Sequence, residues 1–377
     1  MKQVRWQPAV ALCLVMCCLL GANTIAPPQT SASGACVVEI DSGRVLCTKN
    51  AEQQMPMAST TKIMTAIVAI EKGNLDQVIT AESPAVGVEG SSIYLKEGEQ
   101  FTLKDLLYGL MLRSGNDSAV AIACTIGGSV DGFVSMMNQK AAELGASHTR
   151  FVNPHGLPAE GHYTTAKDLA IISAYAMRNP IFSQIVSTKS ITIEPDGQGQ
   201  ARLLQNKNKL LTQFSGATGI KTGYTKEAGK CLVGSAERDG KRVVAVVLGA
   251  PDMWKDAETL MDVSLDALDR RVVVHDTDPL GAVAIADGLE DQIMALAQGE
   301  YAMTLLKEES DELSVRIELP VTVTAPVQRG QQVGQAVVLL KGEELARIPL
   351  IADRSVEAKT YTYHLEKVIA YWLRNVT

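Results

Sequence analysis

An apolar run from Ser59 to Ile70 constrains the fold more than any other feature of the sequence. After a polar first turn almost every position of the run is apolar, and Gly73 follows as a stop signal. A helix of this composition must be covered by other elements on most of its faces, which requires a domain with a sizeable core. The chain has 377 residues, enough for two such domains. The sequence therefore predicts a buried central helix that starts at Ser59.

Strands and helices are predicted in separate blocks around this helix. The segment ACVVEIDSGRVLCTKN predicts a β-hairpin with Ser42-Gly43 at its turn, and Asp239-Gly240 marks a second hairpin between GKCLVGSAE and RVVAVVLGA. Between the hairpins, helices are predicted at LKDLLYGLML, SAVAIACTIGG, residues 130–144 and TTAKDLAIISAYAMR, and a last one follows at 254–268. This order predicts an α+β domain, residues 35–272, in which helices cover an antiparallel sheet.

The sequence changes character beyond about residue 276, where short β-prone runs alternate with glycines. A small all-β domain is predicted at 276–354, and it contains no cluster of His, Cys or carboxylates at ligand spacing. Residues 357–377 predict an amphipathic helix with an apolar face made of Tyr361, Leu365, Val368, Ile369, Trp372 and Val376. Periodicity fits a helix packed on the β domain as well as one in a membrane interface, and the terminal position favours the membrane.

The first residues predict export. Lys2 and Arg5 precede an apolar segment that ends near Leu20, and small and polar residues follow, so residues 1–34 are interpreted as a secretory signal peptide. The apolar segment is shorter than the roughly 20 residues of a spanning helix, which makes an uncleaved anchor the weaker alternative. The formal net charge is −7, and loss of the two signal-peptide cations leaves −9, which argues against nucleic acid as a partner.

Four cysteines lie outside the predicted signal peptide: Cys36, Cys47, Cys124 and Cys231. So few cysteines in so long a chain indicate neither a disulfide-dependent core nor cysteine catalysis. Cys36 and Cys47 flank the first hairpin turn, and a disulfide or two separate thiols would both fit that placement.

Ser59 and Lys62 form an S-x-x-K pair in the first turn of the buried helix. Residues three apart share a helix face, so the amine is placed to take the proton of the hydroxyl. Free backbone N–H groups at a helix start favour developing negative charge, and apolar surroundings lower the pKa of a lysine. The plainer interpretation is a serine that caps a helix beside a solvated lysine.

Two further motifs are short and, taken singly, are usually structural. Ser114 and Asn116 belong to SGN in a predicted loop between helices, where a turn or helix cap is the common role. Lys221, Thr222 and Gly223 form KTG in a predicted strand, and the glycine leaves room for a backbone or ligand to approach.

The three motifs occur once each, in the order S-x-x-K, S-x-N, K-T-G, which is the set found in penicillin-binding proteins and class A β-lactamases. The chain resembles the low-molecular-mass penicillin-binding proteins, a family of serine D-alanyl-D-alanine carboxypeptidases. The resemblance covers most of residues 35–270 and includes PMASTTKIMTA, LMLRSGNDSA, FVNPHGLP, HYTTAKDLA and GIKTGYTKEAGKCLVGSAERDG. It implies a penicillin-binding/β-lactamase-like first domain, and the β domain with its terminal amphipathic helix is similar to that family too.

The resemblance implies three catalytic residues. Ser59 would be the acylated nucleophile, Lys62 its general base, and Ser114 a relay of the proton towards the leaving amine. The implied substrate-binding residues are Asn116, Lys221, Thr222, Gly223 and Tyr224. Among them, Asn116 would bind the peptide backbone, Thr222 the terminal carboxylate, and the N–H groups of Ser59 and Tyr224 the oxyanion.

Lys207 in QNKNKLL departs from the family, which often has arginine ahead of the KTG strand. A lysine cannot make the same two-pronged contact with a carboxylate. Carboxylate binding would then depend more on Thr222 and on Lys221, which would place positive charge beside Ser114.

The implied substrate is a peptidoglycan pentapeptide that ends in D-Ala-D-Ala, and the implied covalent inhibitors are β-lactam antibiotics. The implied location is the outer face of the cytoplasmic membrane, with the terminal helix at the membrane surface. No cofactor and no metal are predicted, because His155, His162 and Glu160 lie in a loop rich in proline and glycine without the spacing of a zinc helix.

Two other functions share part of this pattern. A β-lactamase has the same nucleophile and KTG strand, but an E-x-x-L-N pattern is missing between Asn116 and Lys221, and the β domain is extra. A non-catalytic wall-binding protein is disfavoured because the motifs are intact. The balance between carboxypeptidase, endopeptidase and transpeptidase activity does not follow from the sequence.

Overall fold

The computed structural model describes residues 24–197 and 199–375. The chain divides after Asp266 into two units. Most of the predicted signal peptide, residues 1–23, lies outside the described residues.

The first unit contains the elements between which the three motifs are distributed. In chain order they are β1 (Gly34–Glu39), β2 (Val45–Lys49), α1 (Lys62–Lys72), β3 (Val78–Thr80), β4 (Gln100–Thr102), α2 (Leu103–Leu112), α3 (Asn116–Gly127), α4 (Val130–Glu143), α5 (Ala166–Met177), α6 (Pro180–Ser187), β5 (Ser190–Ile193), β6 (Arg202–Gln205), α7 (Leu210–Gln213), β7 (Ala217–Thr225), β8 (Gly229–Arg238), β9 (Lys241–Leu248) and α8 (Met253–Ala267).

A five-stranded antiparallel sheet organises this unit, in the order β2-β1-β9-β8-β7. Both predicted hairpins are confirmed, and the second turns at Asp239 and Gly240, whose φ values are +52° and +70°. The helices pack with the sheet around one apolar core. The predicted α+β class, with helices over an antiparallel sheet, is therefore confirmed.

Helix α1 is the buried helix that the apolar run predicts, and its residues from Lys62 to Ala69 are all buried. Gly73 ends it where a side chain would collide, because a Cβ there would lie 2.5 Å from a methyl of Leu103. Ser59 lies just before α1, in a separate 3₁₀ turn formed by Ala58–Thr61. The polar first turn thus adopts a tighter geometry than the predicted α-helix.

Helix starts follow the predicted caps. The Thr102 hydroxyl accepts the backbone N–H of Asp105 at α2, and the Thr165 hydroxyl accepts that of Asp168 at α5. Thr165, rather than Thr164, is therefore the cap of α5. Short elements that the sequence did not predict are the β3–β4 and β5–β6 pairs and helices α6 and α7.

The second unit is all-β except for short 3₁₀ structure and its last helix, as predicted. Its elements are β10 (Leu268–Val274), β11 (Pro279–Ala286), β12 (Gln292–Ala297), β13 (Tyr301–Leu306), β14 (Leu313–Glu318), β15 (Thr322–Thr324), β16 (Gln332–Leu340), β17 (Glu343–Ala352) and α9 (Tyr361–Asn375). Six strands form a sheet in the order β14-β16-β17-β12-β11-β15, and β10 pairs with β13. Strand β10 begins at Leu268, ahead of the expected start near residue 276.

The apolar side chains of helix α9 are exposed to solvent. Leu365 is 46% exposed, Ile369 49% and Trp372 70%, and Tyr361 is more exposed still. Val376, the last member of the predicted apolar face, lies outside the described residues. Within residues 24–197 and 199–375, no single helix is long and apolar enough to cross a membrane. Helices α3 and α4 would be long and apolar enough only if taken together, and an 86° bend separates them.

Cys36 and Cys47 are two separate buried thiols. In the β1–β2 ladder Cys47 lies opposite Val37, and Cys36 lies opposite Thr48. Neighbouring positions of a strand point to opposite faces of the sheet, so the two sulfur atoms face away from each other. The hairpin therefore has no disulfide, which resolves the alternative that the sequence left open.

Candidate active site

The turn that carries Ser59 has a constrained backbone. Ala58, directly before it, has a φ of +47°, a region that residues with a side chain rarely occupy. The Thr61 hydroxyl donates to the Ala58 carbonyl at 2.8 Å and holds the turn from inside. Holding such a conformation costs on the order of 1–3 kcal/mol, and strain of this kind concentrates at functional sites.

Lys62 reaches back from the first turn of α1 to the nucleophile turn. Its Nζ lies 3.0 Å from Ser59 Oγ and 2.6 Å from both Asn116 Oδ1 and His155 O. A neutral amine has two N–H bonds and one lone pair. If the two carbonyl oxygens accept the N–H bonds, the lone pair is left to accept the Ser59 proton.

Burial and the neighbouring charges favour the neutral form of this amine. Complete burial, and then the positive charges of Lys221 and Lys207, hold the pKa of Lys62 well below its usual range. Burial, with Lys207 again, lowers the pKa of Lys221 to about 7. A base must be unprotonated before it can act, so burial and the neighbouring cations shift Lys62 in the direction that a base requires.

The SGN loop supplies the opposite wall. Ser114 is 4% exposed and has a φ of +65°, and Asn116, 3% exposed, starts α3. Asn116 donates through its backbone N–H to Ser91 O and through Nδ2 to Glu89 O. These bonds fix the Asn116 side chain, so that its oxygen points at Lys62.

The KTG strand, part of β7, runs along the nucleophile turn. A Cβ at Gly223 would lie 3.1 Å from the backbone nitrogen of Ser59, so a side chain there would push the two segments apart by a few tenths of an ångström. Lys221 is buried and its Nζ donates to the Thr222 carbonyl at 3.0 Å. Tyr224 follows with a side chain that is 67% exposed.

A loop at 153–157 packs against the other side of the nucleophile turn. Gly156 has a φ of +89°, and a Cβ there would overlap the Ala58 carbonyl oxygen at 1.9 Å. His155 contributes its carbonyl to Lys62, while burial and the Lys62 charge lower the pKa of its own imidazole to about 4. The imidazole is therefore neutral near pH 7.

His162 supports the turn through a chain of hydrogen bonds. The Val152 N–H donates to His162 Nδ1 at 3.0 Å, so the ring hydrogen belongs on Nε2, 2.9 Å from Thr61 Oγ1. Thr61 in turn donates to Ala58 O. Burial lowers the pKa of His162 to about 4, which keeps this direction of donation at neutral pH. Both ring nitrogens are occupied, and in the described part of the chain no group of three or more His, Cys, Asp or Glu is arranged to hold a metal ion.

Ser59 opens into a cavity of about 460 Å³. It is lined by Ser59, Gly90, Ser91, Ser92, Tyr94, Arg113, Asn116, Gly156, Leu157, Lys207, Tyr224 and Thr225. Lys207 donates to the Ser91 hydroxyl across one wall at 3.0 Å. A cavity of this size admits the end of a peptide and confines it next to the nucleophile.

The structure brings Ser59, Lys62 and Asn116 into direct contact and places Gly223 beside them. Among the hydrogen bonds of the described residues, none joins Lys221 to Ser114. Sequence reasoning assigned Asn116 to the substrate and missed its contact with Lys62, because the partners are 54 positions apart. It also missed Arg113 and the support given by His162, although Arg113 directly precedes the SGN motif.

Comparison with known proteins gives the same result over almost the whole chain. Residues 21–252 match the family described as D-alanyl-D-alanine carboxypeptidase, and residues 270–358 match the C-terminal domain of penicillin-binding protein 5. A D-alanyl-D-alanine carboxypeptidase of Bacillus subtilis is 32% identical over 91% of this chain and 90% of its own length. One of Mycobacterium tuberculosis is 38% identical over 64% of this chain and 84% of its own.

Solved structures agree with these sequence matches. The crystal structure of penicillin-binding protein 5 from Haemophilus influenzae has a TM-score of 0.64 and 29% identity, covering 88% of this chain and 99% of that one. A mutant of the Streptomyces K15 DD-transpeptidase has a TM-score of 0.61 and 35% identity, covering 63% of this chain and 99% of that one. The chain belongs to the D-alanyl-D-alanine carboxypeptidase family of serine peptidases, the low-molecular-mass penicillin-binding proteins.

Proposed function

We propose that this chain releases the terminal D-alanine of peptidoglycan stem peptides through an ester intermediate on Ser59, with Lys62 as general base. The observation that carries this assignment is the amine of Lys62, 3.0 Å from the serine hydroxyl and held by two carbonyl oxygens. Burial lowers the pKa of Lys62, which supports its role as a base.

In the acylation step Lys62 takes the Ser59 proton while Oγ bonds to the carbonyl carbon of the penultimate D-alanine. The oxyanion that forms is stabilised by the backbone N–H groups of Ser59 and Tyr224, which belong to two segments in close approach at Gly223. The proton passes through Ser114 to the amide nitrogen, the C–N bond breaks, and free D-alanine leaves. Water then attacks the ester and restores Ser59.

The remaining motif residues bind the substrate. Asn116 and Thr222 hydrogen-bond the peptide, and Lys221 adds positive charge where the substrate is anionic. β-Lactams acylate the same serine, since their strained amide presents a carbonyl to the same nucleophile.

We propose that the signal peptide is cleaved ahead of Ile25, so that the mature chain keeps residues 25–34. Residues 24–34 are tied to the first unit: the Ile25 N–H donates to Leu46 O at 2.7 Å, and the Ser31 hydroxyl donates to Asp256 at 2.6 Å. Cleavage at residue 34 would remove these bonds. N-terminal sequencing of the exported protein tests this, and a mature chain starting after residue 34 would contradict it.

We propose that the exported protein is held at the outer face of the cytoplasmic membrane by α9. Its exposed apolar side chains support this, since a helix with one apolar face gains by burying it among lipid tails. The protein should sediment with phospholipid vesicles, and Ile369→Glu should abolish sedimentation. Val315→Glu, which changes another exposed apolar residue of the same unit, is the matched control. Equal sedimentation of both variants would contradict the proposal.

The catalytic assignment is tested with a peptide ending in D-Ala-D-Ala and a fluorescent penicillin. The wild type should release D-alanine and carry one label, and Ser59→Ala should lose both by more than about 10³-fold. Ser135→Ala, an exposed serine of α4, is the matched control and should retain both. Folded wild type that releases no D-alanine would exclude a carboxypeptidase, and rapid turnover of the penicillin would indicate a β-lactamase.

A further inference from the structure

Four basic side chains lie at the catalytic cleft. They are Lys62, Arg113, Lys207 and Lys221, and none of them belongs to an ion pair between described residues. Burial shifts Lys62 and Lys221 towards their neutral forms, whereas the guanidinium of Arg113 stays charged. Asp117 is close enough to raise the pKa of Lys62, but burial and the neighbouring cations outweigh it. The cleft is therefore built for an anion that arrives with the substrate.

Asp117 cannot serve as that anion, because its carboxylate is fully engaged elsewhere. It accepts the backbone N–H groups of Ile93, Leu95 and Ser118 and the hydroxyl of Ser92. These bonds fasten the 92–95 loop to α3. The positive charge of the cleft remains for a ligand.

The three lysines each have a partner of their own. Lys62 is held on Ser59, Asn116 and His155, as described above. Lys207 donates to the Ser91 hydroxyl, and Lys221 donates to the carbonyl of the residue that follows it.

Arg113 differs from the lysines because its guanidinium makes few hydrogen bonds to described residues. It caps the end of α2, and the hydrogen bond of its side chain is a long one, 3.4 Å from Nη1 to Gln205 O. Four further N–H donors of the guanidinium have no acceptor among the described residues. Arg113 lines the same cavity as Ser59.

The backbone places Arg113 and Lys207 on one wall of this cavity. The Lys207 N–H donates to Leu112 O at 3.1 Å, one residue before Arg113. Burial, and then the nearby positive charge of Arg113, lower the pKa of Lys207. Lys207 alone offers a point charge, whereas Arg113 adds the planar fork that matches the two oxygens of a carboxylate.

We propose that Arg113 binds the terminal carboxylate of the substrate and makes the enzyme selective for peptides with a free C-terminus. This inference rests on the proposed function. The terminal carboxylate is only one residue beyond the scissile bond, about 3.8 Å along the chain, so its receptor must lie in the cavity that contains Ser59. Arg113 leads directly into Ser114, so the group that binds the leaving D-alanine and the group that protonates its nitrogen are consecutive residues.

The test uses the full-length protein and two versions of one peptide, with a free D-Ala-D-Ala carboxylate or with a C-terminal amide. Arg113→Gln should lower kcat/KM for the free acid by about 10- to 100-fold and leave that for the amide nearly unchanged, because only the acid loses a charged partner. Lys207→Arg added to Arg113→Gln should restore part of the loss by returning a guanidinium to the same wall. Arg150→Gln, an exposed arginine outside this cavity, is the matched control and should leave both rates as they are.

Equal losses on the acid and the amide would overturn the inference, because Arg113 would then act on the fold or on Lys62. No loss on the acid would overturn it as well. Thermal unfolding of each variant separates a misfolded protein from a folded one. A folded wild type that cleaves neither peptide would overturn the proposed function and this inference with it. If the wild type is active, a failure of the Arg113→Gln prediction overturns the role of Arg113 alone.

Discussion

The two units of the chain differ in their buried lysines and the partners of their buried charges. In the first unit Lys62 and Lys221 are enclosed, at 0% and 2% exposure, and neither belongs to an ion pair between described residues. In the second unit the buried charge is Glu309, and it is paired with Lys341 at 3.2 Å. Outside the cleft the first unit also pairs a buried charge, since Glu99 lies against Arg202. Among the described residues, buried lysine or arginine without a counter-charge is thus confined to the two lysines next to Ser59.

The difference indicates that the buried lysines next to Ser59 lower the stability of the fold and are kept for catalysis. Taking an ion out of water costs several kcal/mol unless a partner compensates for it. A lysine buried among other cations shifts towards its neutral form. The neutral form adds no ion pair that would stabilise the fold, but it is the form that a general base requires. Among the described residues of the second unit, no lysine is buried.

The largest contrast should come from the same substitution made in each unit. Lys62→Met removes the amine that we propose accepts the Ser59 proton, so labelling by a fluorescent penicillin should slow by about 10²- to 10⁴-fold. Lys341→Met removes a paired lysine from the second unit and should leave the labelling rate unchanged. Similar labelling rates in the two variants would refute the division of roles.

Loss of the paired charge should affect stability alone. Glu309→Ala removes the partner of Lys341 and the acceptor of the Leu306 N–H, which should destabilise the second unit by about 2 kcal/mol. Hydrogen exchange of its strands measures this, with Glu309→Gln as a milder, isosteric control. A fall in penicillin labelling would show that the second unit takes part in catalysis.

Loss of a buried charge without a counter-charge should increase the free energy of unfolding instead of lowering it. Lys221→Met fills the same space without a charge, so the free energy of unfolding at pH 7 should rise by about 1 kcal/mol while D-alanine release falls. The folded pKa of Lys221, about 7, lies below its usual 10.5, so the unfolded chain binds more protons between these values. The free energy of unfolding of the wild type should therefore increase relative to that of the variant as the pH rises from 7 to 10.5, as measured by urea titrations. A variant that is less stable than the wild type at pH 7 would contradict a cost of burying this charge.

The smallest effect should be a shift in pH dependence. Lys207 is one of the charges that lower the pKa of Lys62, so Lys207→Met should raise that pKa. Lys62 would then stay protonated to higher pH, and the acidic limb of the kcat/KM profile should move upward by less than about one unit, since Lys207 is partly screened by water. Lys209→Met, an exposed lysine two residues away, serves as control; an unmoved limb in Lys207→Met would mean that the charges do not interact.

The sequence predicted the elements that have strong local signals. Helix α1 followed from its apolar run, α2 and α5 from their threonine caps, and the β8–β9 hairpin from its Asp-Gly turn. The β5–β6 pair was missed because its strands are four residues long and its connection is polar. Short strands of this kind are decided by tertiary contacts more than by local preference.

Prediction of the site followed the same division. Ser59 and Lys62 are three positions apart, so helical geometry was enough to place them together. The hydrogen bonds from Lys62 to Asn116 and to His155 join residues 54 and 93 positions apart, and no local pattern contains them. The bond between His162 and Thr61 spans 101 positions and was missed for the same reason.

The backbone contact between Gly156 and Ala58 has a consequence for inhibition. The 153–157 loop can move away from the nucleophile only by withdrawing the His155 carbonyl, one of the acceptors that orient the Lys62 amine. A small molecule bound between this loop and the Ser59 turn would inhibit the enzyme without reacting with the serine. Such a compound would show itself by blocking penicillin labelling without forming an adduct, and it would share no chemistry with the β-lactams.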